Sequence, residues 1–532
     1  MMNRPARHLP DLTTGMSRRS MLTGFGSATL LATSTLATTP TPASAQTRFG
    51  ARQNVSGRPA LTSGASTGDV TSTRATLWAR ADRPSRLVAV VHGPGRSRRR
   101  VDGPWAGPAS DYTATIDLRD LLPGREYTVT VGFETDRGIR GQHTDVHLRT
   151  ASTRPAAQSF VWTGDTCGQG WGINPDLGGL RAYRAMHQTR PDFFLHSGDT
   201  VYADSPISEQ VTEPDGQVWR NLVTPEVSKV AETLGEFRGR HRYTLMDENV
   251  RAFYADVPLV AQWDDHETTN NWYPGEILSD ERYTERRVDV LAARARQAFW
   301  EYQPIGRASR KSPGRIYRTI RRGAQLDLFC LDMRTFKSPN TDNLEPYRTP
   351  ILGAEQTDWL IRGVTRSRAR WKVIAADLPL GLIVPDGPGA QEAISNSSPS
   401  APLGRELEIA QVLAAIRRAG VRNVVWLTAD VHYCAAHHYD PSRAAFTDFN
   451  PFWEFVAGPI AAGSFGPNTL DPTFGPRADF IQTGAYPNAS PRSLTGQFFG
   501  HVDIATDGVL TVSLRDGTGA VLYSRSLEPQ IR

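Results

Sequence analysis

Cysteine is scarce in this 532-residue chain, which contains only Cys167, Cys330 and Cys434. An odd number at such wide spacing argues against a disulfide framework, so stability must come from a buried core. Long apolar runs are also lacking, since after the first 45 residues no stretch could span a bilayer. The 37 proline and 46 glycine residues indicate many loops rather than long helical arrays. The length fits two or three soluble globular domains.

The first 45 residues have the features of an export signal. Residues 17–22 (Ser-Arg-Arg-Ser-Met-Leu) form a twin-arginine signature, and 43–45 (Ala-Ser-Ala) form a cleavage pattern. We therefore predict a signal peptide over 1–45, twin-arginine export machinery as a partner and a secreted, extracytoplasmic protein that begins near Gln46. The alternative is a basic N-terminal tail. The segment carries four arginines and one acid, so without it the net charge falls from +5 to about +2, which gives no support for nucleic-acid binding.

Residues 46–152 are predicted to form a fibronectin-like β-sandwich. Short alternating runs separated by turns occur at 75–80, 86–91, 112–116, 127–133 and 145–149. Residues 121–127 (Leu-Leu-Pro-Gly-Arg-Glu-Tyr) resemble the turn before a late strand of such a sandwich. The basic run at 96–100 is predicted to be a solvated loop, the alternative being a contact to phosphate or a charged polymer.

Residues 159–530 are predicted to form an α/β layered domain, because short β runs alternate there with helical stretches. The helices are expected at 180–189, 287–302, 355–370 and 406–419. At 498–526, Asp507-Gly508 and Asp516-Gly517 are hairpin signals, and we expect these strands to close the second sheet of this domain.

Six apolar runs in this domain end on an acid. The acids are Asp165, Asp199, Asp265, Asp332, Asp377 and Asp430. If the strands lie side by side in one sheet, their carboxyl ends gather these carboxylates at one edge, where ligands bind in open α/β sheets. Like charges crowded together repel one another unless cations compensate them. The pattern therefore predicts bound metal.

Three segments add groups suited to hydrolytic chemistry. Asp199 ends a short buried run, and Tyr202 follows three residues later, where both side chains can lean over one point; the alternative is a turn in which Asp199 caps the next helix. Asp265 immediately precedes His266, which offers a metal ligand beside a titratable donor. Asp430 and His432 are alternate residues of an extended segment and so point the same way. For Asp265 and His266 the alternative is a solvated polar loop. For His432 the alternative is a hydrogen-bonded histidine in the core.

The order of these motifs resembles the metallophosphoesterase superfamily and, more narrowly, the PhoD-like alkaline phosphatase/phosphodiesterase family. The resemblance covers nearly the whole mature chain. Its residues are Gly164-Asp165, 198–204 (Gly-Asp-Thr-Val-Tyr-Ala-Asp), 263–267 (Trp-Asp-Asp-His-Glu), Asn270-Asn271, 331–334 (Leu-Asp-Met-Arg), 429–432 (Ala-Asp-Val-His) and 452–455 (Phe-Trp-Glu-Phe). The implied architecture is the N-terminal β-sandwich followed by a four-layer α/β/β/α metallophosphoesterase domain.

The resemblance also implies Fe(3+) beside Ca(2+). Asp199 would bridge the two ions, and Tyr202 and His432 would bind iron. Asp265 and Asp430 would face calcium, with Asp377 as a secondary candidate. Some relatives have a cysteine as an iron ligand in the first motif. In this chain the strand residues Phe160-Val-Trp-Thr place Asp165 at that position, and we favour Asp165 over Cys167, two residues later, as the ligand.

The implied reaction is hydrolysis of phosphate monoesters, and of diesters, at alkaline pH by metal-activated water attacking phosphorus in line. His266 would protonate or orient the leaving oxygen. Arg334 would clamp a phosphate oxygen, the alternative being a salt bridge to a loop acid. Asn270 and Asn271 would donate to phosphate or bind calcium, and the sequence leaves that choice open. Two other functions remain: a phospholipase D-type phosphodiesterase acting on phospholipid, and a secreted binding protein for a phosphorylated polymer.

Overall fold

The structure is a computed structural model that describes residues 57–306 and 315–530. The export signal predicted at 1–45 lies outside the described residues. The described strands are β1 Leu61–Gly68, β2 Ala75–Ala81, β3 Ser85–His92, β4 Arg98–Ala106, β5 Thr113–Leu118, β6 Glu126–Glu134, β7 Arg140–Arg149, β8 Gln158–Thr163, β9 Phe193–Ser197, β10 Gln210–Thr212, β11 Val218–Arg220, β12 Leu259–Gln262, β13 Arg318–Arg321, β14 Leu326–Cys330, β15 Trp371–Ala375, β16 Val424–Thr428, β17 Cys434–Tyr439, β18 Phe452–Val456, β19 Pro476–Gln482, β20 Phe498–Ile504, β21 Leu510–Asp516 and β22 Val521–Leu527. The described α-helices are α1 Ala182–Gln188, α2 Leu234–Thr244, α3 Glu248–Asp256, α4 Val288–Tyr302, α5 Ala354–Arg366 and α6 Glu406–Arg418.

Two large sheets form the centre of the molecule. One has nine strands in the order β22-β21-β20-β8-β9-β12-β1-β2-β5, and the other has seven in the order β13-β14-β15-β16-β18-β17-β19. The acid-ending strands divide between them: β8, β9 and β12 are parallel neighbours in the first sheet, and β14, β15 and β16 are parallel neighbours in the second. The one-sheet arrangement considered from the sequence is therefore wrong, because three of these strands lie in each sheet.

Alternation along the strands explains how the layers pack. In β8, Phe160 and Trp162 point into the core shared with the second sheet, whereas Val161 points to the opposite side, into a core shared with α4. The same alternation holds in β15, where Val373 faces the other sheet and Ile374 faces α5 and α6. Successive side chains of a strand point to opposite faces, so runs that are apolar throughout are buried on both faces. The result is the expected α/β/β/α layering.

The N-terminal strands form a sandwich in which one sheet is continuous with the central one. A four-stranded sheet, in the order β4-β3-β6-β7, packs on β1, β2 and β5 around a common apolar core. Strand β1 then pairs in parallel with β12, through Gly68 and Leu259. A Cβ on Gly68 would lie 2.4 Å from the carbonyl oxygen of Leu259, so only glycine permits this approach. Inside the sandwich, the Leu122 N–H donates to the Tyr127 hydroxyl at 2.7 Å, which fixes the turn noticed in the sequence.

Three expectations about local structure need correction. The basic run predicted to be a loop enters β4 at Arg98, because the exposed edge strand tolerates arginines and Arg100 pairs with Glu134 on β6 at 2.7 Å. Helix α5 ends at Arg366 rather than at 370, because Ser367 has an extended backbone. Strands β20 to β22 extend the nine-stranded sheet beside β8 instead of closing the second sheet. Helices α2 and α3 were not predicted.

Candidate metal centre

The carboxyl ends of the two sheets meet at a buried cluster of acids and histidines. Five of the six strand-ending acids lie there, each with 1% of its surface exposed or less: Asp165, Asp199, Asp265, Asp377 and Asp430. The sixth, Asp332, serves the scaffold. Its carboxylate accepts hydrogen bonds from the Trp263 indole N–H at 2.9 Å and from the Thr335 hydroxyl at 2.7 Å.

One group of candidate metal ligands consists of Asp165, Asp199 and His432. Their ligand atoms lie within 4.8 Å of one another. The Tyr202 hydroxyl is 2.9 Å from His432 Nε2 and 3.2 Å from Asp165 Oδ1. His432 Nδ1 donates to the carbonyl oxygen of Gly463, which fixes the ring so that Nε2 faces the group. Two carboxylates, an imidazole and a phenol thus converge; these are the residues that the family resemblance assigned to an iron ion.

A second group consists of Asp199, Asp265 and His266, again within 4.8 Å. Asp199 belongs to both groups, which is the arrangement needed for a bridging carboxylate. Its Oδ1 accepts a hydrogen bond from the His266 backbone N–H at 3.1 Å, and its buried Oδ2 has no hydrogen-bond partner within the described residues. The His266 ring lies over Tyr202 with a centroid distance of 4.2 Å, and its Nδ1 is 2.7 Å from Asp204 Oδ1.

The backbone at four of these positions is strained. Asp165, Asp199, Asp430 and His432 have φ values of 68°, 51°, 65° and 61°, in the left-handed region that non-glycine residues seldom adopt. Each such residue costs on the order of 1 kcal/mol or more and persists where surrounding structure enforces it. Asp165, Asp199 and Asp430 each lie two residues after the end of a strand, and His432 lies four residues after β16. Asp430 and His432 therefore belong to a bend, and the extended segment predicted for them is wrong.

The charges of the cluster require compensation. Burial, followed by repulsion from Asp265, raises the pKa of Asp199 well above its usual value. Burial also raises the pKa of Asp377 to about 7 and that of Glu267 to about 7. Carboxylates so placed cannot all be ionised near neutral pH unless cations neutralise them. The donor set therefore fits bound metal ions: hard oxygen ligands suit Ca²⁺, and imidazole with phenolate suits iron.

Asp165, and not Cys167, reaches the cluster. Cys167 also has a positive φ of 62°, but its sulfur lies in the apolar core beneath the helices. Burial raises the pKa of the Cys167 thiol far above its usual value, which disfavours the thiolate form that binds metal. The geometry agrees with the preference for Asp165 in the first motif.

Arg334 lies among carboxylates rather than at the surface. Its side chain is fully buried. Nε contacts Asp264, Nη1 is 2.8 Å from Glu392 Oε1, and Nη2 is 3.7 Å from both Asp265 Oδ1 and Asp430 Oδ1. The contact with Glu392 is a salt bridge to an acid in a loop, which the sequence analysis gave as the alternative to a phosphate contact.

The two asparagines have different surroundings. The Asn271 amide Nδ2 donates to Asp386 at 2.8 Å, its backbone N–H donates to Asp265 Oδ2 at 2.6 Å, and its buried Oδ1 makes no hydrogen bond within the described residues. The backbone N–H of Asn270 donates to Asp204 at 2.9 Å, and its side chain is half-buried. Asn271 therefore belongs to the carboxylate side of the cluster, and Asn270 to its more exposed side.

Sequence reasoning missed four acids of this region: Asp204, Asp264, Glu267 and Glu392. The first three lie inside the motifs quoted above, two residues after Tyr202 and on either side of Asp265-His266, so proximity in sequence was an available signal. Glu392 had no such signal. It lies in the loop 385–402 and reaches the interior only because Arg405 holds the backbone carbonyls of residues 391–393 at 2.7–2.9 Å.

Two sheets whose joined carboxyl ends gather candidate metal ligands form the arrangement expected of a metal-dependent phosphoesterase. The family model described as PhoD-like phosphatase matches residues 160–514, and that of the PhoD-like phosphatase N-terminal domain matches 44–146. The chain therefore belongs to the PhoD-like phosphatase family.

Individual relatives agree with this assignment. Alkaline phosphatase D of Bacillus subtilis is 27% identical over 453 residues, which cover 78% of this chain and 72% of that protein. A solved structure of PhoD superposes with a TM-score of 0.67 at 20% identity, covering 90% of this chain and 94% of the other. Purple acid phosphatase PPD1 from yellow lupin seeds gives a TM-score of 0.53 at 12% identity, covering 88% and 74%, so the fold is shared. Among residues 57–306 and 315–530, no helix is long and apolar enough to cross a membrane.

Proposed function

We propose that the protein is a secreted alkaline phosphatase that hydrolyses phosphate monoesters and diesters with Fe(3+) and Ca(2+) as cofactors. The observation that carries the proposal is the position of Asp199, shared by two groups of candidate ligands that differ in their other members. Beside Asp199, the first group contains Asp165 and His432, with the Tyr202 hydroxyl 2.9 Å from His432 Nε2, and the second contains Asp265 and His266. Unlike ligand sets on the two sides of one carboxylate favour two unlike ions.

We assign iron to Asp165, Asp199, Tyr202 and His432, and calcium to Asp199, Asp265 and Asp430 with the Asn271 amide oxygen, Asp377 being a secondary candidate. His266, although it lies within reach of the calcium position, is assigned to proton transfer and not to metal binding. Bound there, the two ions would activate water and neutralise charge on the phosphoryl oxygens.

The chain itself supplies proton delivery and substrate contact. His266 is assigned to donate a proton to the leaving oxygen, because Asp204 holds its Nδ1 at 2.7 Å and so orients the ring. It is buried to 4% exposure, slightly less deeply than the cluster carboxylates, which are exposed by 1% or less. Asn270 is half-buried beside it and is assigned to donate a hydrogen bond to a phosphate oxygen.

The iron assignment is tested with Tyr202→Phe. The purified protein is expected to show a visible phenolate-to-iron charge-transfer band, which disappears in this variant. Tyr183→Phe is the matched control, since Tyr183 is equally buried but bonds Thr166 at 2.9 Å in the layer behind the cluster. A colourless and fully active wild-type enzyme would rule iron out.

The calcium assignment and the reaction are tested together. Chelation should abolish hydrolysis, and Ca²⁺ should restore it; full restoration by zinc or magnesium alone would refute the calcium assignment. A monoester, a diester and a phospholipid are assayed side by side, because preference for the phospholipid would favour phospholipase D-type activity. Asp199→Ala and His432→Ala should fold but lose hydrolysis, whereas a protein that only binds a phosphorylated polymer would keep its function.

Export is a separate part of the proposal. It predicts that the mature protein appears outside the cytoplasm with an N-terminus near Gln46, and that replacing Arg18 and Arg19 with lysine keeps the precursor inside. N-terminal sequencing of secreted protein checks the cleavage position, and secretion that is unaffected by the double replacement would exclude the twin-arginine route.

A further inference from the structure

A third group of acids in the cluster has the spacing of a cation site. Its members are Asp264, Asp265 and Asp430, whose carboxylate oxygens lie within 4.8 Å of one another. All three are buried to 1% exposure or less. Three ionised carboxylates at that separation need a positive charge between or beside them.

Arg334 contacts every member of this group. Its Nε donates to Asp264 Oδ1, and its Nη2 lies 3.7 Å from Asp265 Oδ1 and 3.7 Å from Asp430 Oδ1. Two further acids approach the same guanidinium, Asp377 at 3.7 Å from Nε and Glu392 at 2.8 Å from Nη1. The arginine is therefore surrounded by carboxylates of the protein on three sides.

We infer that Arg334 is the resident cation of this third group, a positioning residue that takes the place of a further metal ion. Guanidinium remains protonated in proteins, so the charge is permanent and independent of metal supply. By holding Asp265 and Asp430 it orients the carboxylates that border the calcium position. The inference rests on the proposed function for the identity of the neighbouring ions, and it replaces the phosphate-clamp role first considered for Arg334.

The two roles make opposite predictions. A phosphate clamp must reach substrate, and its loss weakens binding of phosphate. An internal cation does not touch substrate, and its removal leaves three buried carboxylates that attract a replacement ion. A gain of metal on removal of a side chain is an outcome that neither a clamp nor a purely packing role predicts.

The test compares Arg334→Ala with wild type after dialysis against Ca²⁺. Metal analysis by mass spectrometry is expected to find one additional divalent ion per chain, and the thermal unfolding midpoint of the variant should depend more strongly on Ca²⁺ than that of wild type. Arg318→Ala is the matched control, because Arg318 is also buried but pairs with the single carboxylate of Asp69, at 2.9 Å; it should gain no ion. Unchanged metal content in folded Arg334→Ala would overturn the inference.

Arg334→Lys keeps the test decisive if the alanine variant does not fold. The ammonium retains the charge, so metal content should equal that of wild type and inhibition by inorganic phosphate should change less than about threefold. A folded lysine variant in which phosphate inhibition weakens tenfold or more would identify a clamp and overturn the inference. Hydrolysis by the wild type is measured in parallel: its absence would refute the proposed function, whereas the metal count judges Arg334 independently.

Discussion

Replacing Cys167 with alanine should leave catalysis intact, although some relatives use a cysteine in this motif. Cys167 is 4% exposed and packs in the core beneath the helices. Its removal deletes one buried group of about methylene size, worth about 0.8 kcal/mol, and leaves a small cavity. We expect a stability loss of about 1–2 kcal/mol, and kcat/KM within about twofold of wild type because no cluster atom moves.

Asp165→Asn should have the opposite effect. The substitution preserves size but removes the negative charge of a carboxylate placed 3.0 Å from His432 Nε2. Changes in the groups that merely orient ligands cost about 10–100-fold in metal affinity, so loss of a ligand charge should cost at least about 100-fold. Stability of the metal-free protein should not fall, since the neutral side chain relieves repulsion with Asp199.

The assay measures p-nitrophenyl phosphate hydrolysis, iron content and thermal unfolding on the same preparations. Cys330→Ala is the control for the loss of stability, because Cys330 is fully buried in the apolar core between the two sheets, although the motif 331–334 begins at the next residue. If Cys167→Ala lost iron and activity while Asp165→Asn kept both, the placement of the first motif would be refuted.

Two further predictions address proton transfer and buried charge. Asp204→Asn should lower kcat about 10–100-fold with little change in KM, because His266 loses the carboxylate that orients its ring. Asp256→Asn is the control, since it breaks a similar but exposed pair with His187 at 2.8 Å and should leave kcat unchanged. Equal losses of kcat in both variants would contradict the role assigned to His266. Burial raises the pKa of Glu406 to about 8 from a usual value of 4.5, so its stabilising contribution is complete below pH 4.5 and is lost as pH rises through 8. Glu406→Gln should therefore gain stability over wild type between pH 5 and pH 9, by up to about 4 kcal/mol, and thermal unfolding that shows no such growing difference would contradict the raised pKa.

Local sequence signals were sufficient for most elements of the fold. The six apolar runs that end on acids all contain strands, because short and mainly apolar segments can be buried on both faces of a sheet. Helices at 182–188, 288–302 and 406–418 coincide with the predicted stretches. Helix α2 was missed because its sequence, Leu-Gly-Glu-Phe-Arg-Gly-Arg-His-Arg-Tyr-Thr, is mostly polar and carries two glycines; the capping box of Thr233 and Glu236 was the available signal.

Long-range pairings could not be read from the sequence. Nothing local indicates that β1 joins β12 across about 190 residues, or that β20 returns to pair with β8. Glu392 illustrates the same limit at the level of a side chain. Its segment carries no local signal of burial, yet Glu392 is buried, with its backbone carbonyl bonded by Arg405 and its carboxylate 2.8 Å from Arg334.

The sequence by itself indicated the type of chemistry: the acids that follow short buried strands predict bound metal, and the resemblance of the motif order to metallophosphoesterases implies a metal-dependent phosphoesterase. Only the tertiary structure decided how those residues divide, with three strands in each of two facing sheets and Asp199 shared by two ligand groups. It also placed Asp165, and not Cys167, among the candidate metal ligands, and it placed Asp332 outside the cluster of the other five acids. The physical reason is that a side chain beyond a strand end is aimed by its backbone angles and by the packing of distant elements, neither of which is encoded in residue spacing.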